Sequence, residues 1–328
     1  MSILPLVTIL VSLLLMQYLY FKIAFLYNII DKPNARSSHD AVTLRGGGII
    51  FSLSVIIWFL LYGFQFPYFF TGLIAIALIS FLDDILTLDN KIRLSVHLLA
   101  ALLLFLEWDL FALPWYYLFV GLLFIIGTIN AYNFMDGING ITGSYSLLTI
   151  ATLYYINSKI VSFTDPDLLI IIGLSLIIFN FSNFRKKAKC FAGDVGSVSI
   201  AFFLVFTIGQ LILTTQNFCY ILLLLIYGLD TATTIFFRKK RKENIFEAHR
   251  SHFYQYLANE LKWNHLFVAS IYFLAQLVCN LILIILLKDN LLFAFLFATL
   301  CLIVFLSFRF LVEGKNYLLE RHKFQHKD

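Results

Sequence analysis

The stretch WYYLFVGLLFIIGTINAYNFMDGINGITGSYSLLTIATLYYIN, residues 115–157, contains two apolar runs separated by a polar turn. The runs 115–131 and 141–157 approach the length of about 20 mostly apolar residues that an α-helix needs to cross a bilayer. Between them, NFMDGINGITG (133–143) holds an aspartate, two asparagines and three glycines. The pattern predicts two membrane helices joined by a polar turn.

The same apolar character extends along the whole chain of 328 residues. Hydrophobic residues make up 61% and charged residues 13%, against about 25% charged residues in soluble domains. Eleven candidate membrane spans lie near 3–29, 46–65, 66–82, 94–107, 115–131, 141–157, 167–183, 195–213, 218–237, 266–287 and 290–311. The run 94–107 is short, so ten spans are the alternative. The sequence therefore predicts an all-α, polytopic membrane bundle that forms one domain over 1–328.

The positive charges predict how this bundle is oriented. Of the 24 lysines and arginines, 21 fall in loops that follow odd-numbered spans, two fall in the other loops and one lies inside a span. Cytoplasmic loops carry the excess of lysine and arginine, so this face is expected to be cytoplasmic, with the N-terminus outside if there are eleven spans. Because topology explains the net charge of +5, the charge does not indicate a nucleic-acid partner.

The polar stretches lie on that same face, in the loops 31–45, 83–93, 132–140, 184–194 and 238–265. Solvated loops without a shared role would not segregate in this way, so this face is expected to carry the function. The four cysteines form no C-x-x-C pair and are expected to be buried apolar residues, not zinc ligands or disulfides.

Asp83 and Asp84 are adjacent carboxylates at the end of an apolar run. They could simply cap the helix, but two acids in a low dielectric are costly unless a cation compensates them. Mg²⁺ is a suitable cation because it takes hard oxygen ligands, often one or two carboxylates together with substrate phosphates. If the helix continues, Lys91 follows Asp84 by two turns and Arg93 comes next, where an anionic substrate bridged to metal would need them.

The stretch FAGDVGS (191–197) places Asp194 between two glycines, where the next span begins. Glycines let the backbone approach a ligand, and a helix N-terminus offers free N–H groups to phosphate. Alone the motif is weak, but on the same face as Asp83 and Asp84 it predicts a third metal ligand.

Asn130 and Asn133 stand at i and i+3 on the last turn of the fifth span, and Asp136-Gly137 then ends the helix. Amides and a carboxylate at such a helix end suit hydrogen bonding to a sugar or a base. The alternative is a polar turn whose side chains only cap helices.

EAHRSHFYQYL (247–257) places His249, Arg250 and His252 within four residues. An H-x-x-H spacing can bind zinc, but no third soft ligand lies nearby. Anion binding fits better, because arginine grips phosphate oxygens with two parallel hydrogen bonds.

Together these motifs resemble the polyprenyl-phosphate N-acetylhexosamine-1-phosphate transferases, glycosyltransferase family 4, over nearly the whole chain. The segment AHRSHFYQYL is most similar to the branch that initiates O-antigen or capsule synthesis. The resemblance implies transfer of a sugar 1-phosphate from a UDP-N-acetylhexosamine to undecaprenyl phosphate, with release of UMP and with Mg²⁺ (or Mn²⁺) as cofactor. It further implies a bacterial inner membrane protein active on the cytoplasmic side, and it leaves a homodimer open.

In the resemblance, Asp83 and Asp84 match the paired aspartates of the family. This match implies that they bind metal or that one of them acts as a base toward the lipid phosphate. Lys91 and Arg93 match the basic residues that follow, which would stabilise phosphoryl oxygens. Asp194 matches the aspartate of G-D-x-G-S, a magnesium ligand in the family.

The substrate-binding N-x-x-N-x-x-D-G motif matches the four residues Asn130, Asn133, Asp136 and Gly137. The H-R-x-H segment matches His249, Arg250 and His252, which implies catalytic contact with the pyrophosphate and a role in sugar choice.

The chain departs from the family pattern at two positions. Asn139 stands where the family has a second aspartate, and its amide can still pair with a base edge. Lys187 stands where many members have proline, so the loop before Asp194 is expected to run differently from theirs.

Two other classes of membrane protein fit the sequence less well. A secondary transporter would place its acids near the bilayer midplane and often shows repeats, whereas these acids lie at helix ends and no repeat is evident. A CDP-alcohol phosphotransferase would need a D-G-x-x-A-R run, and here Asp136-Gly137 is followed by INGIT.

The charge distribution predicts a labelling pattern. Single cysteines at positions 39, 90, 188 and 245, in a background without the native cysteines, should react with an impermeant thiol reagent only from the cytoplasmic side. Reaction of any of them in intact cells would overturn this topology.

Overall fold

The computed structural model describes residues 2–31, 42–244 and 249–320. The helices are α1 (Ile3–Leu26), α2 (Ile49–Leu61), α3 (Pro67–Leu86), α4 (Asn90–Glu107), α5 (Trp115–Met135), α6 (Ile141–Lys159), α7 (Pro166–Asn183), α8 (Gly193–Thr215), α9 (Leu225–Lys240), α10 (Phe253–Asn259), α11 (His265–Ile282), α12 (Leu291–Val312) and α13 (Lys315–Leu319). Short 3₁₀ segments cover Leu110–Ala112 and Phe218–Leu224, and a π-helical turn covers Leu283–Leu287. β1 (Ile30–Asp31) pairs antiparallel with β2 (Thr43–Leu44).

The predicted all-α fold is confirmed, and each of the eleven predicted spans coincides with a helix. Among the described residues, eight helical segments are long and apolar enough to cross a membrane: α1, α3, α5, α7, α8, α12, residues 218–240 and residues 265–287. The chain is therefore a multi-pass membrane protein. The number of crossings stays a prediction, because α2 is an apolar helix of only 13 residues.

Polar side chains fix where several helices begin. Asp89 precedes α4, and its side chain accepts a hydrogen bond from the Lys91 N–H at 2.8 Å. Asp165 precedes α7, and its side chain accepts a hydrogen bond from the Asp167 N–H at 2.9 Å. Such side chains satisfy backbone donors that have no partner within the helix.

The interior of the bundle is built around α8. This helix packs against α2, α3, α5 and α6 and is buried along almost its entire length. Phe69 of α3 stacks on Phe206 of α8 with ring centroids 3.9 Å apart. By contrast, α12 buries only Ala294 and Arg309, and its exposed apolar surface is suited to lipid.

A backbone contact joins the loop before α2 to the loop before α8. The Gly47 N–H donates to the Phe191 carbonyl at 2.8 Å, and the Gly48 N–H donates to the Ala192 carbonyl at 3.1 Å. A Cβ added to Gly196 would lie 2.7 Å from the Cα of Gly48. These two backbone segments lie so close together that a residue larger than glycine does not fit at this contact.

Gly196→Ala should therefore destabilise the protein by about 1–3 kcal/mol, the usual cost of overpacking. Thermal unfolding in detergent measures this effect. The matched control is Gly173→Ala in α7, where the nearest atom to an added Cβ is Ile150 Cγ2 at 3.8 Å. The control should be neutral or stabilising, since alanine favours a helix by about 0.5–1 kcal/mol over glycine. Equal melting temperatures for Gly196→Ala and the parent would contradict this packing.

Candidate active site

Three carboxylates and two guanidinium groups form a cluster at one end of the bundle. Arg45 Nε lies 2.7 Å from Asp84 Oδ1, and Arg45 Nη2 lies 3.6 Å from Asp194 Oδ1. Arg93 Nη1 lies 3.2 Å from Asp194 Oδ2 and also forms an ion pair with Asp83. The predicted convergence of Asp83, Asp84 and Asp194 is thus present, with two arginines offsetting part of their negative charge. The cluster is hereafter called the carboxylate cluster.

Asp84 binds the N-terminus of α8. Its two oxygens accept hydrogen bonds from the Asp194 N–H at 2.9 Å and the Val195 N–H at 3.0 Å. A carboxylate is favourable there, because the helix start has unpaired N–H groups and a positive dipole end. Gly193 adopts φ +72°, and a Cβ on it would lie 2.5 Å from Asp84 Oδ2. This contact explains the glycine before Asp194.

Asp83 holds the turn between α3 and α4, because its Oδ1 accepts the Leu88 N–H at 2.6 Å. The helix does not continue from Asp84 to Lys91, since α3 ends at Leu86 and α4 begins at Asn90, so the condition under which Lys91 would stand beside the acids is not met. The turn brings Arg93 to the carboxylates. Lys91 is exposed on the first turn of α4, and its ammonium makes no ion pair with a described residue.

Arg45 was not predicted as a site residue. The sequence offered one signal, an arginine directly before three glycines on the active face. Tyr20 donates to the Arg45 carbonyl at 2.6 Å and so helps to fix the loop. Burial alone would lower the pKa of Arg45, but the charges of Asp84 and Asp194 outweigh it and raise that pKa. Residues 32–41 of the predicted loop 31–45 lie outside the described residues.

Mg²⁺ fits this cluster only as an ion shared with substrate. Across residues 2–31, 42–244 and 249–320, no group of three or more His, Cys, Asp or Glu side chains is arranged to hold a metal by itself. Asp83 and Asp194, however, each direct an oxygen to the same Arg93 nitrogen and retain 7% and 17% side-chain exposure. Two carboxylates plus substrate phosphates are a common ligand set for Mg²⁺.

The turn after α5 connects to this cluster. α5 ends at Met135, so the Asp136-Gly137 pattern correctly predicted the helix end. Asn133 Oδ1 accepts a hydrogen bond from Ser197 Oγ at 3.2 Å, one turn beyond Asp194. Asn130 instead donates to its own helix, at the Ile126 carbonyl. The two amides therefore contact different partners.

Asn139 is buried and has a packing role in this structure. Its Nδ2 donates to the carbonyls of Arg185 and Lys186 at 2.9 and 3.3 Å. The amide thereby fixes the loop between α7 and α8, in which Lys187 lies.

The segment His249–His252 packs on the other side of the same turn. The His249 and His252 rings stack with centroids 5.1 Å apart, and both contact the Phe134 ring. Tyr254 donates to the Phe134 carbonyl at 2.8 Å and lies against Gly137. Arg250 lies between the histidines and is half-buried. Residues 245–248 of the predicted loop 238–265 lie outside the described residues.

Electrostatics keep His249 neutral. Burial, together with the neighbouring charges of Arg238 and Arg241, lowers the pKa of His249 to about 3. A neutral imidazole here can accept a hydrogen bond or stack, but it adds no positive charge to the site.

Asp230, another residue that was not predicted, anchors this segment. It lies in α9 with 0% exposure and contacts His252 Nδ1 at 3.2 Å. It also accepts the N–H groups of Phe253 and Tyr254 at 3.0 and 3.2 Å and the Tyr272 hydroxyl at 2.5 Å. An aspartate within an apolar span was the signal in the sequence.

An apolar groove between α5 and α9 leads to the histidine segment. Its inner cavity, of about 450 Å³, is lined by Asn130, Phe134, Arg238 and His249 among others. An adjoining cavity of about 320 Å³ shares Gly127, Ala131 and Gly228 with it and is lined mainly by leucine and aromatic side chains.

Comparison with known proteins agrees with this geometry. Residues 66–212, which include Asp83, Asp84, Arg93 and Asp194, match the family described as Glycosyl transferase family 4. Over these residues the chain is similar to that family. A probable undecaprenyl-phosphate N-acetylglucosaminyl 1-phosphate transferase from Bacillus subtilis is 26% identical to this chain, over 76% of this chain and 75% of the relative.

Two further relatives match a smaller part. The undecaprenyl-phosphate alpha-N-acetylglucosaminyl 1-phosphate transferase of Yersinia pestis is 28% identical over 58% of this chain and 57% of its own length. The phospho-N-acetylmuramoyl-pentapeptide-transferase of Thermotoga petrophila is 32% identical over 50% of this chain and 58% of its own length. For these two, the match spans less than two thirds of the relative.

Asp136 generates a pH prediction. Burial, with the nearby charge of Asp84, raises the pKa of Asp136 from 3.8 to about 6. The folded state therefore favours the protonated acid, so its stabilising effect is complete below about pH 4 and is lost as the pH rises through 6. Between pH 4 and 7 the parent should lose up to about 3 kcal/mol more stability than Asp136→Asn.

Thermal unfolding of both proteins at several pH values tests this. Asp109→Asn, at an exposed turn, is the matched control and should follow the parent. Parallel curves for Asp136→Asn and the parent would show that the Asp136 carboxyl is not perturbed.

Proposed function

We propose that this protein is a family 4 glycosyltransferase that transfers a sugar 1-phosphate from a UDP-N-acetylhexosamine to undecaprenyl phosphate and releases UMP. One observation carries the proposal: α8, which begins at the carboxylate cluster, and the histidine segment both contact residues 133–134, and an apolar groove ends at the same place. Such a site can bring a polar phosphate donor and a lipid acceptor together at a membrane surface.

The acceptor chain is proposed to lie in the groove between α5 and α9. The lining is apolar, as a polyprenyl tail requires, and Asn130, Arg238 and His249 stand at its inner end. The phosphate head of the lipid would meet polar side chains only there. Because a phosphomonoester is mostly dianionic near neutral pH, its oxygen can attack the β-phosphorus without a strong base.

The donor pyrophosphate is proposed to bind between the carboxylate cluster and the histidine segment. Arg93 and Arg250 supply positive charge to the phosphoryl oxygens, which carry the charge of a loose transition state. Asp83 and Asp194 would hold Mg²⁺, which neutralises phosphate charge when bound. Asp84 is proposed to act by position alone, because its side chain has 0% exposure and both its oxygens accept α8 N–H groups.

N-Acetylglucosamine is the proposed sugar, because the relatives from Bacillus subtilis and Yersinia pestis are named for it. The product would then initiate a cell-envelope polysaccharide such as O-antigen. We also propose a bacterial inner membrane location, with the carboxylate cluster on the cytoplasmic side. A coupled transporter fits less well, because the ionic groups cluster at helix ends and are paired with arginines.

The direct test uses purified protein, undecaprenyl phosphate and UDP-sugars labelled in the sugar. Label should move into the lipid extract with UMP as co-product, and UDP-N-acetylglucosamine should give the highest kcat/KM. If label moves only from the UDP derivative of another N-acetylhexosamine, the proposed sugar is wrong but the proposed reaction stands. No lipid-extractable label with any donor would refute the proposed function.

Metal dependence is tested separately. EDTA should stop transfer and Mg²⁺ or Mn²⁺ should restore it. Asp194→Asn should lower kcat by orders of magnitude, because a phosphate-bridging ion contributes several kcal/mol of charge stabilisation. Asp109→Asn, at an exposed turn, is the control variant and should keep full activity. Near-parental activity of Asp194→Asn would remove this residue from the site.

A further inference from the structure

A second groove lies between α6, α7 and α11, apart from the groove between α5 and α9. Its cavity, of about 640 Å³, shares no lining residue with that groove. A cavity of this volume falls within the range of about 300–1,000 Å³ that is typical of small-molecule sites. The proposed reaction does not use it.

The three helices that form this groove meet at one level. α6 begins at Ile141, α7 ends at Asn183 and α11 begins at His265. The Gly140 N–H donates to Asn183 Oδ1 at 2.8 Å, and the Asn139 N–H donates to His265 Nδ1 at 3.5 Å. Because α7 and α11 belong to candidate membrane spans, this end of the groove lies where the helices leave the bilayer.

The lining of the groove changes from polar to apolar with depth. Ser144, Asn180 and Ser270 line it near the helix ends. Leu147 and Phe273 also line it, and each follows one of the serines by three residues, on the same helix face and one turn deeper. A membrane lipid has the same order of groups, with a polar head at the surface and an acyl chain below it.

A cation stands at the outer edge of the groove. The guanidinium carbon of Arg185 lies 5.9 Å from the centroid of the Phe181 ring. Phe181 is 77% exposed, and at the end of an apolar helix its ring is suited to contact with lipid. The Arg185 guanidinium makes no hydrogen bond or ion pair within the described part of the chain. It is therefore available to an anion at the membrane surface.

The charge around Arg185 has one sign. The sequence contains no aspartate or glutamate between Asp167 and Asp194, and α6 and α11 contain none. Three exposed lysines follow Arg185 within the next four residues. Basic pockets between membrane helices bind acidic lipid head groups. The occupant that fits this groove is negatively charged at its outer end and apolar at its inner end.

We propose that the groove between α6, α7 and α11 binds one anionic glycerophospholipid of the bilayer, such as phosphatidylglycerol. Its phosphate contacts the Arg185 guanidinium, since arginine matches phosphate oxygens with two parallel donors. One acyl chain lies along Leu147 and Phe273. The proposed function is not needed for this inference, and its tests read lipid binding and stability, not sugar transfer.

A bound lipid is also expected to stabilise the loop before α8. The Arg185 carbonyl accepts the Asn139 Nδ2 at 2.9 Å. Asn183, two residues earlier, accepts the Gly140 N–H and donates its own Nδ2 to the Cys190 carbonyl at 2.9 Å. The residue that meets the phosphate thus belongs to the contact between the turn after α5 and the loop that leads to α8.

The competing explanation is that the basic loop only orients the protein in the membrane. Under that explanation, Arg185 and the three lysines attract anionic lipids to a similar extent, and no lipid is held at a defined place. The variants below separate a built site from diffuse attraction.

The first experiment uses native mass spectrometry of the delipidated full chain in detergent. Titration with phosphatidylglycerol should give one retained lipid per chain, at concentrations at which phosphatidylcholine with the same acyl chains is not retained. Arg185→Gln should raise the half-saturating concentration by about tenfold or more, the effect of one lost hydrogen bond to a charged group. Lys187→Gln is the matched control: it makes the same charge change in the same loop but does not line the groove, so it should bind as the parent does.

The second experiment fills the groove and changes no charge. Ser270→Phe places a ring in the cavity, and the serine hydroxyl that it removes bonds only within its own helix, to the Leu266 carbonyl. This variant should not retain phosphatidylglycerol. The lipid should raise the melting temperature of the parent and of Lys187→Gln, but not that of Arg185→Gln or Ser270→Phe. If Ser270→Phe does not fold, the comparison of Arg185→Gln with Lys187→Gln decides alone.

Five results would overturn the inference. Equal retention of phosphatidylcholine would show that charge is not recognised. Equal weakening by Arg185→Gln and Lys187→Gln would show diffuse attraction. Displacement of phosphatidylglycerol by soluble glycerol phosphate would exclude a lipid site, and displacement by an equal concentration of undecaprenyl phosphate would make the groove an acceptor site. A dimer that retains no phosphatidylglycerol would show that a second copy of the chain covers the groove.

Discussion

The buried carboxylate of Asp84 at the first turn of α8 is the interaction on which the site depends. It joins α3 to the N–H groups of Asp194 and Val195 and to Arg45 in the loop before α2. A carboxylate without exposed surface is stable only when donors and a cation surround it. These three segments must therefore meet in one arrangement, and that arrangement sets where Asp194 lies.

Asp230, in the second half of the site, is another buried carboxylate that is stabilised by surrounding donors. Both aspartates lie in helices and have side chains without exposed surface, and both accept two successive backbone N–H groups at the start of another helix. Their hydrogen-bonding capacity is used within the protein. Asp83 and Asp194 retain some exposed surface, and these are the carboxylates proposed to bind metal. Fully satisfied carboxylates thus position the partly satisfied ones.

The membrane explains why the polar groups are concentrated at one end. Charged groups in hydrocarbon are costly, so a site for phosphate can exist only where helices end. The buried α8 brings one such end to the centre of the bundle, where α3 and α5 reach it. The groove between α5 and α9, proposed as the path of the lipid acceptor, is lined mainly by apolar side chains and has Asn130, Arg238 and His249 at one end.

The sequence by itself determined the helical membrane fold, the similarity to glycosyltransferase family 4, and the convergence of Asp83, Asp84 and Asp194. These follow from run lengths, charge distribution and local motifs. Only the tertiary structure decided that Arg45 and Arg93, and not Lys91, contact the carboxylates, because the helix break at Leu86–Asn90 changes which side chains face the cluster. It also decided the roles of Asn139 and Asp230, whose partners lie 46 and 22 residues away. Contacts over such separations depend on how helices pack, which local spacing does not specify.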